Sequence, residues 1–170
     1  MRAAIVAVTV ALALGGCAGH PRADGLPAVQ PAWASCADAA PLTDDEFGAG
    51  GQDALKLPRL DGDFRPVAAV VCRVDVRERA DGGNERVAVE ERAGDVSALV
   101  ETLRLDDEFR TAGGCDSDLP YVPWLALLDG QGRWSRPGVP VDSCGKPRAE
   151  FITAYERLST EQVSATVLRQ

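Results

Sequence analysis

The chain has 170 residues, 18 Lys and Arg against 26 Asp and Glu, a formal net charge of −8, and 45% apolar residues. That length and apolar fraction suit one domain with an ordinary core. An acidic chain without clustered Lys or Arg lacks the positive charge that phosphate contacts require, which excludes a nucleic-acid partner. One histidine, two lysines and five cysteines narrow the chemistry further.

Residues 3–14 form an apolar run opened by Arg2, the order of an export signal. The run is well short of the roughly 20 residues a spanning helix needs. It ends in Leu14-Gly15-Gly16-Cys17, which resembles the lipobox of bacterial lipoproteins. The resemblance implies a signal peptide over residues 1–16, cleavage before Cys17, and acylation of the Cys17 thiol by a diacylglyceryl group of the palmitate type. Two acyl chains are enough for stable attachment, so the expected location is the extracytoplasmic face of the cell membrane. A plain secretory signal cut near Cys17-Ala18-Gly19 is the alternative.

With Cys17 committed to lipid, Cys36, Cys72, Cys115 and Cys144 remain. An even set in an exported domain reads as two disulfides, with three possible connectivities. The chain has no Cys-x-x-Cys, which speaks against a thioredoxin-type site or a zinc knuckle.

Residues 17–34, with Pro21, Pro27 and Pro31, are expected to be an extended, flexible tether. His20 falls within it and is expected to be solvated. A single domain is expected over 35–170. Its first part, from Trp33 to Pro66, lacks periodicity and carries the acidic residues Asp44, Asp45 and Glu46 and a turn at Asp61-Gly62-Asp63. No EF-hand spacing is present, so these carboxylates read as solvated surface.

Regular structure begins near Val67. Val70, Cys72, Val74 and Val76 alternate with Val71, Arg73, Asp75 and Arg77, the period of a strand. Asp81-Gly82-Gly83-Asn84 is turn chemistry, and Val87 and Val89 continue the alternation beyond it, giving a hairpin. Asp95 offers an N-cap to a helix whose buried stripe is Val96, Leu99, Val100 and Leu103. After an exposed loop at 111–118, Trp124-Leu125-Ala126-Leu127-Leu128 is apolar on both faces, as a central strand would be. Asp129-Gly130-Gln131-Gly132 turns it into a return arm from Arg133 to about Val141, where Pro137 and Pro140 suggest an edge or bulged strand. Pro147 suits the first turn of a second helix, with Phe151, Ile152, Tyr155 and Leu158 as its stripe. A last strand, 161–168, places Val163, Ala165 and Val167 on one face.

These elements predict an α+β domain: an antiparallel sheet of about five strands, made of two hairpins and a C-terminal strand, with two helices packed on it. Cys115 and Cys144 flank the second hairpin, so pairing its arms brings them together; Cys36 then meets Cys72 by elimination.

Catalytic machinery is hard to assemble from this inventory. Nucleophilic catalysis needs a base beside Ser or Cys, and the only histidine precedes the domain. A Ser143–Lys146 pair is formally open. No catalytic residue, metal ligand set or cofactor is expected. Trp124, Trp134, Tyr121 and Tyr155 read as core or, alternatively, as a recognition patch; Trp33 has no assigned place. The expected function is a non-enzymatic binding or structural component of the cell envelope, with an envelope protein of unknown identity as partner.

Two resemblances bear on this. The lipobox, the Val71-Cys72-Arg73 strand and Asp142-Ser143-Cys144-Gly145 are similar to a diffuse group of uncharacterised actinobacterial envelope lipoproteins, which carries no activity with it. The order of the Cys72 strand, the helix with Asp95-Val96-Ser97-Ala98-Leu99, Cys115, a Leu-rich strand with Asp129-Gly130, and Cys144 is similar to the subtilisin-inhibitor family. That resemblance implies a small antiparallel sheet with two helices and two disulfides. It also implies a protease-inhibitory loop at Asp116-Ser117-Asp118-Leu119, although Asp116 stands where the family has proline.

Overall fold

The computed structural model describes residues 22–40, 50–60, 62–111, 113–118 and 121–168. The export signal, Cys17, His20, residues 44–46, Asp61 and Leu119 lie outside them. In chain order the strands are β1 (Val29–Gln30), β2 (Pro66–Glu78), β3 (Asn84–Ala93), β4 (Trp124–Asp129), β5 (Trp134–Ser135) and β6 (Glu161–Val167). The helices are α1 (Cys36–Ala39), α2 (Ser97–Leu103) and α3 (Ala149–Glu156), with a 3-10 turn over Gly51–Leu55.

The sheet order is β1-β5-β4-β2-β3-β6, and every neighbouring pair is antiparallel. This is the expected α+β architecture, with six strands where about five were expected. The valine alternation makes β2 and β3 a continuous hairpin from Ala69↔Ala93 to Glu78↔Asn84. Its turn places Gly82 at φ 81°, which only glycine adopts without strain. β4 is buried along its whole length and sits between β2 and β5. β5 is two residues long rather than an arm reaching Val141, because Pro137 and Pro140 cannot donate to a ladder.

Alternation sends side chains of the central strands to two opposite covers. On one face Ala69, Val71, Leu125 and Leu127 pack with Leu99 and Leu103 of α2 and Phe151 of α3. The N-cap position of α2 falls on Val96 rather than the expected Asp95; Asp95 stands one residue earlier, its Oδ1 accepting from the Ser97 backbone N–H at 3.2 Å and the Ser97 hydroxyl at 2.8 Å. α3 starts two residues after Pro147, which instead bridges to Val141.

The other face corrects the expectation of a free tether. Val70, Cys72, Trp124, Ala126 and Leu128 are covered by Cys36, Ala39, Ala40 and Trp33, and the chain ahead of them is held to the domain at Arg22, Pro27 and β1. Arg22, only 10% exposed at its side chain, holds Asp107 at 2.8 and 3.0 Å and donates to the carbonyls of Leu57 and Val139 at 2.6 and 2.8 Å. Pro27 is buried, and β1 extends the sheet beyond β5. Proline-rich composition sets an extended backbone but is silent on whether that backbone docks; here the contacts decide.

Glu90 fixes this cover from the sheet side. It is 3% exposed and accepts from the Trp33 indole N–H at 3.1 Å, the Cys36 backbone N–H at 3.2 Å and Arg92 at 3.1 Å. The Cys36–Cys72 bridge closes beside it, with Cα atoms 5.5 Å apart; Cys115–Cys144 closes the other loop at 5.6 Å. Both pairings match the expectation, and such bridges stabilise by about 2–4 kcal/mol each. Gly138 packs against the Leu57 carbonyl and the Arg22 guanidinium so closely that no side chain fits there.

β6 forms where the alternation placed the last strand, pairing with β3. All seven of its residues are exposed, Val163 at 48% and Val167 at 52%. The helices cover the middle of the sheet, and β6 lies at its far edge beside β3, so the apolar face of its alternation meets no second layer.

Replacing Glu90 with Ala leaves the Trp33 and Cys36 donors without their charged acceptor. It should cost about 2–4 kcal/mol, given the worth of hydrogen bonds to charged groups, read as a lowered urea midpoint and a red-shifted tryptophan emission.

The β4–β5 turn sets a pH dependence. Burial works to raise the Asp129 carboxyl, but the Arg133 guanidinium at 2.7 Å and the backbone N–H groups of Gln131 and Arg133 outweigh it and hold the group below its ordinary value of 3.8. A carboxylate lowered in the folded state contributes stability that is present above its unfolded pKa and is lost as pH falls through the folded one. Asp129→Asn should therefore be less stable than the parent at neutral pH, with the gap closing below pH ~3; urea titrations at both pH values measure it.

Candidate functional site

The loop singled out from the sequence is exposed over residues 113–118, and the Cys115–Cys144 bridge ties its base to the segment before α3. The Asp116 carboxylate is ion-paired with Lys146, and its Oδ1 also accepts from the Asp118 N–H at 3.3 Å. Ser117 lies between two acids, a charge pattern that neither a catalytic nucleophile nor a cleavable peptide requires. The Lys146 ammonium is thereby turned to Asp116 rather than left as a base for Ser143, whose backbone N–H donates to Glu108 at 3.1 Å. Among the described residues no group of three or more His, Cys, Asp or Glu is placed to hold a metal ion.

The structure assembles a different site, on the face covered by the N-terminal segment. All three tryptophans meet there: Trp33 lies 5.2 Å from Trp134, edge to face, and 6.1 Å from Trp124, while Trp124 and Trp134 are 6.3 Å apart. Each comes from a different part of the chain. Trp124 opens β4, Trp134 opens β5, and Trp33 precedes α1. Such ring pairs add stabilisation beyond their area, about 0.5–1.5 kcal/mol.

Beside them opens a cleft of about 420 Å³ lined by Pro27 and Gln30 of the N-terminal segment, Asp53 of the 3-10 turn, Trp124, Trp134 and Arg136. The Arg136 guanidinium lies 4.8 Å over the Trp124 ring, a cation–π contact, and pairs with both oxygens of Asp53. Trp124 is 2% exposed, while Trp134 and Trp33 are half-buried.

The hydrogen bonding here is incomplete. Trp33 donates to Glu90, and Trp134 donates to the Ala32 carbonyl at 3.0 Å. Among the described residues the buried Trp124 Nε1–H and Arg136 Nε–H have no partner. Buried polar groups are nearly always satisfied, so two such donors on residues that line one cleft mark this place.

On the opposite face, Tyr155 stacks on Phe151 with centroids 6.3 Å apart. Burial first, and then the neighbouring Tyr121, push its phenol well above the usual range. It is a structural group that stays protonated.

The sequence named Trp124 and Trp134 as core or recognition patch, and the structure makes Trp124 core and Trp134 half-open. It did not reach Trp33, Asp53, Gln30 or Arg136. A local signal existed for α1 in Ser35 and Asp38, where the Ser35 hydroxyl accepts from the Asp38 N–H at 3.2 Å, the near half of a capping box. No comparable local signal marks Asp53 or Arg136, which meet across 83 residues of chain. Searches against protein-family models, curated proteins and solved structures find no match to this chain.

Proposed function

We propose that the protein is an extracytoplasmic lipoprotein, held to the cell membrane by acyl chains on Cys17, that works as a non-enzymatic binding component through its tryptophan-lined cleft. The observation that carries the reading is the pair of disulfides in a domain that directly follows Leu14-Gly15-Gly16-Cys17. Such bridges persist in oxidising compartments outside the cytoplasm, and the motif supplies a means of staying there. No described helix is long and apolar enough to cross a membrane. The cleft supports the binding role because it combines aromatic surface with unsatisfied buried donors.

A second reading, protease inhibition through Asp116, Ser117, Asp118 and Leu119, draws on the exposure of residues 116–118 beside a disulfide. The Asp116–Lys146 ion pair and the two acids flanking Ser117 weigh against it.

Cys17→Ala should move the protein from the detergent phase to the aqueous phase in cloud-point extraction, or leave the signal uncleaved. Partition of the variant with the detergent as a processed protein would overturn the anchor. In an activity assay with subtilisin and trypsin, micromolar full-length protein should leave both proteases fully active; saturable inhibition lost on Ser117 and Asp118 substitution would favour the second reading.

A further inference from the structure

We infer that the cleft binds a neutral saccharide, a mono- or disaccharide unit stacked by its C–H face on Trp134 and hydrogen-bonded through its hydroxyls to Asp53, Gln30 and the Arg136–Trp124 donors. The inference rests on reading this cleft as a binding surface, and it is independent of how the chain is anchored.

Size sets the first limit. About 420 Å³ falls within the range of small-ligand sites and accommodates one or two sugar rings. Charge sets the second. Asp53 and Arg136 neutralise one another through a two-point pair, so the cleft offers no net charge to an anion or a cation. A phosphate or carboxylate would have to displace Asp53 from Arg136. A quaternary ammonium would find the face of Trp124 already taken by the guanidinium at 4.8 Å.

What remains on offer is a mixture of donors and acceptors beside an apolar platform. The Asp53 carboxylate is 53% exposed at its side chain and accepts; the exposed Gln30 amide does both. Trp124 and Arg136 line the cleft, and their Nε1–H and Nε–H are buried donors without partners among the described residues. A ligand that meets all of these must be uncharged, carry several hydroxyls that donate and accept, and present an apolar face to an indole. Sugars have that combination.

The molecule carries its own reporter, since all three tryptophans lie within 6.3 Å of a neighbour. The full-length protein, in a polyoxyethylene detergent free of sugar headgroups, is titrated with glucose, N-acetylglucosamine, maltose and cellobiose while tryptophan emission is followed. At least one should give a saturable change with a Kd near ~1 mM or tighter. In calorimetric titrations Asp53→Asn, Gln30→Ala and Trp134→Ala should each weaken that sugar about tenfold or more. Trp124→Phe, which keeps an aromatic ring but loses the five-membered half of the indole with its N–H, should weaken it with the circular dichroism spectrum unchanged. Three results would overturn the inference: no saturable response to any of the four sugars, equal affinity in all the variants, or preferential binding of glucose 6-phosphate, choline or a proline-rich peptide. None of these would alter the detergent partition of the protein, so failure here is separable from failure of the anchor.

Discussion

A sheet whose central strands are apolar on both faces must be covered twice, and in this protein only one cover is helical. The second is residues 33–40, a stretch whose one regular element is the four-residue α1. So little regular structure cannot hold itself against the sheet; it is held from outside. Glu90 gathers the Trp33 indole and the Cys36 N–H, and the Cys36–Cys72 bond makes the contact covalent. Burying a carboxylate is costly unless its oxygens are fully used, and Glu90 meets that condition only because the segment docks. Cover and carboxylate are mutually dependent.

The cleft is a product of the same arrangement. A helix layer packs into a sheet with few gaps, as α2 and α3 do around Phe151 and Leu99. A segment of irregular backbone leaves a seam where it meets the 3-10 turn and β5, and Trp124 and Trp134 line it. Arg136 stands at the junction, stacked on Trp124 and paired with Asp53. The acidic balance of the whole chain and the local neutrality of the cleft are therefore separate properties, one a matter of the surface and the other of a single ion pair.

Much of the fold was legible in the sequence wherever periodicity ran long enough. The valines of β2 and β3, the apolar stripe of α2, the apolar run of β4 and the cysteines flanking the second hairpin each carried enough local pattern to place an element or a bond. β1 was illegible because two residues have no period. The docking of residues 22–34 was illegible because it depends on Asp107, Glu90 and Val139, all far along the chain. β6 was placed as a strand, but its wet valines show that alternation fixes which residues share a face and not whether anything lies over that face. The cleft required Asp53 and Arg136 to be known as neighbours, which only tertiary structure reveals. Part of the loop at 116–119, by contrast, was read as exposed and is so over its described residues.

The Arg22 clamp has a geometric consequence for a chain anchored at Cys17. Five residue steps separate the two, a leash of at most about 18 Å even when fully drawn out. A domain of this size has a radius of gyration near ~15 Å, so the leash is little longer than the body it holds. With Cys17 acylated as proposed, the side bearing Arg22 would stay against the lipid headgroups. Leu57, whose carbonyl accepts from Arg22, also lines the cleft, so such an anchor would keep the cleft within reach of whatever the bilayer surface displays.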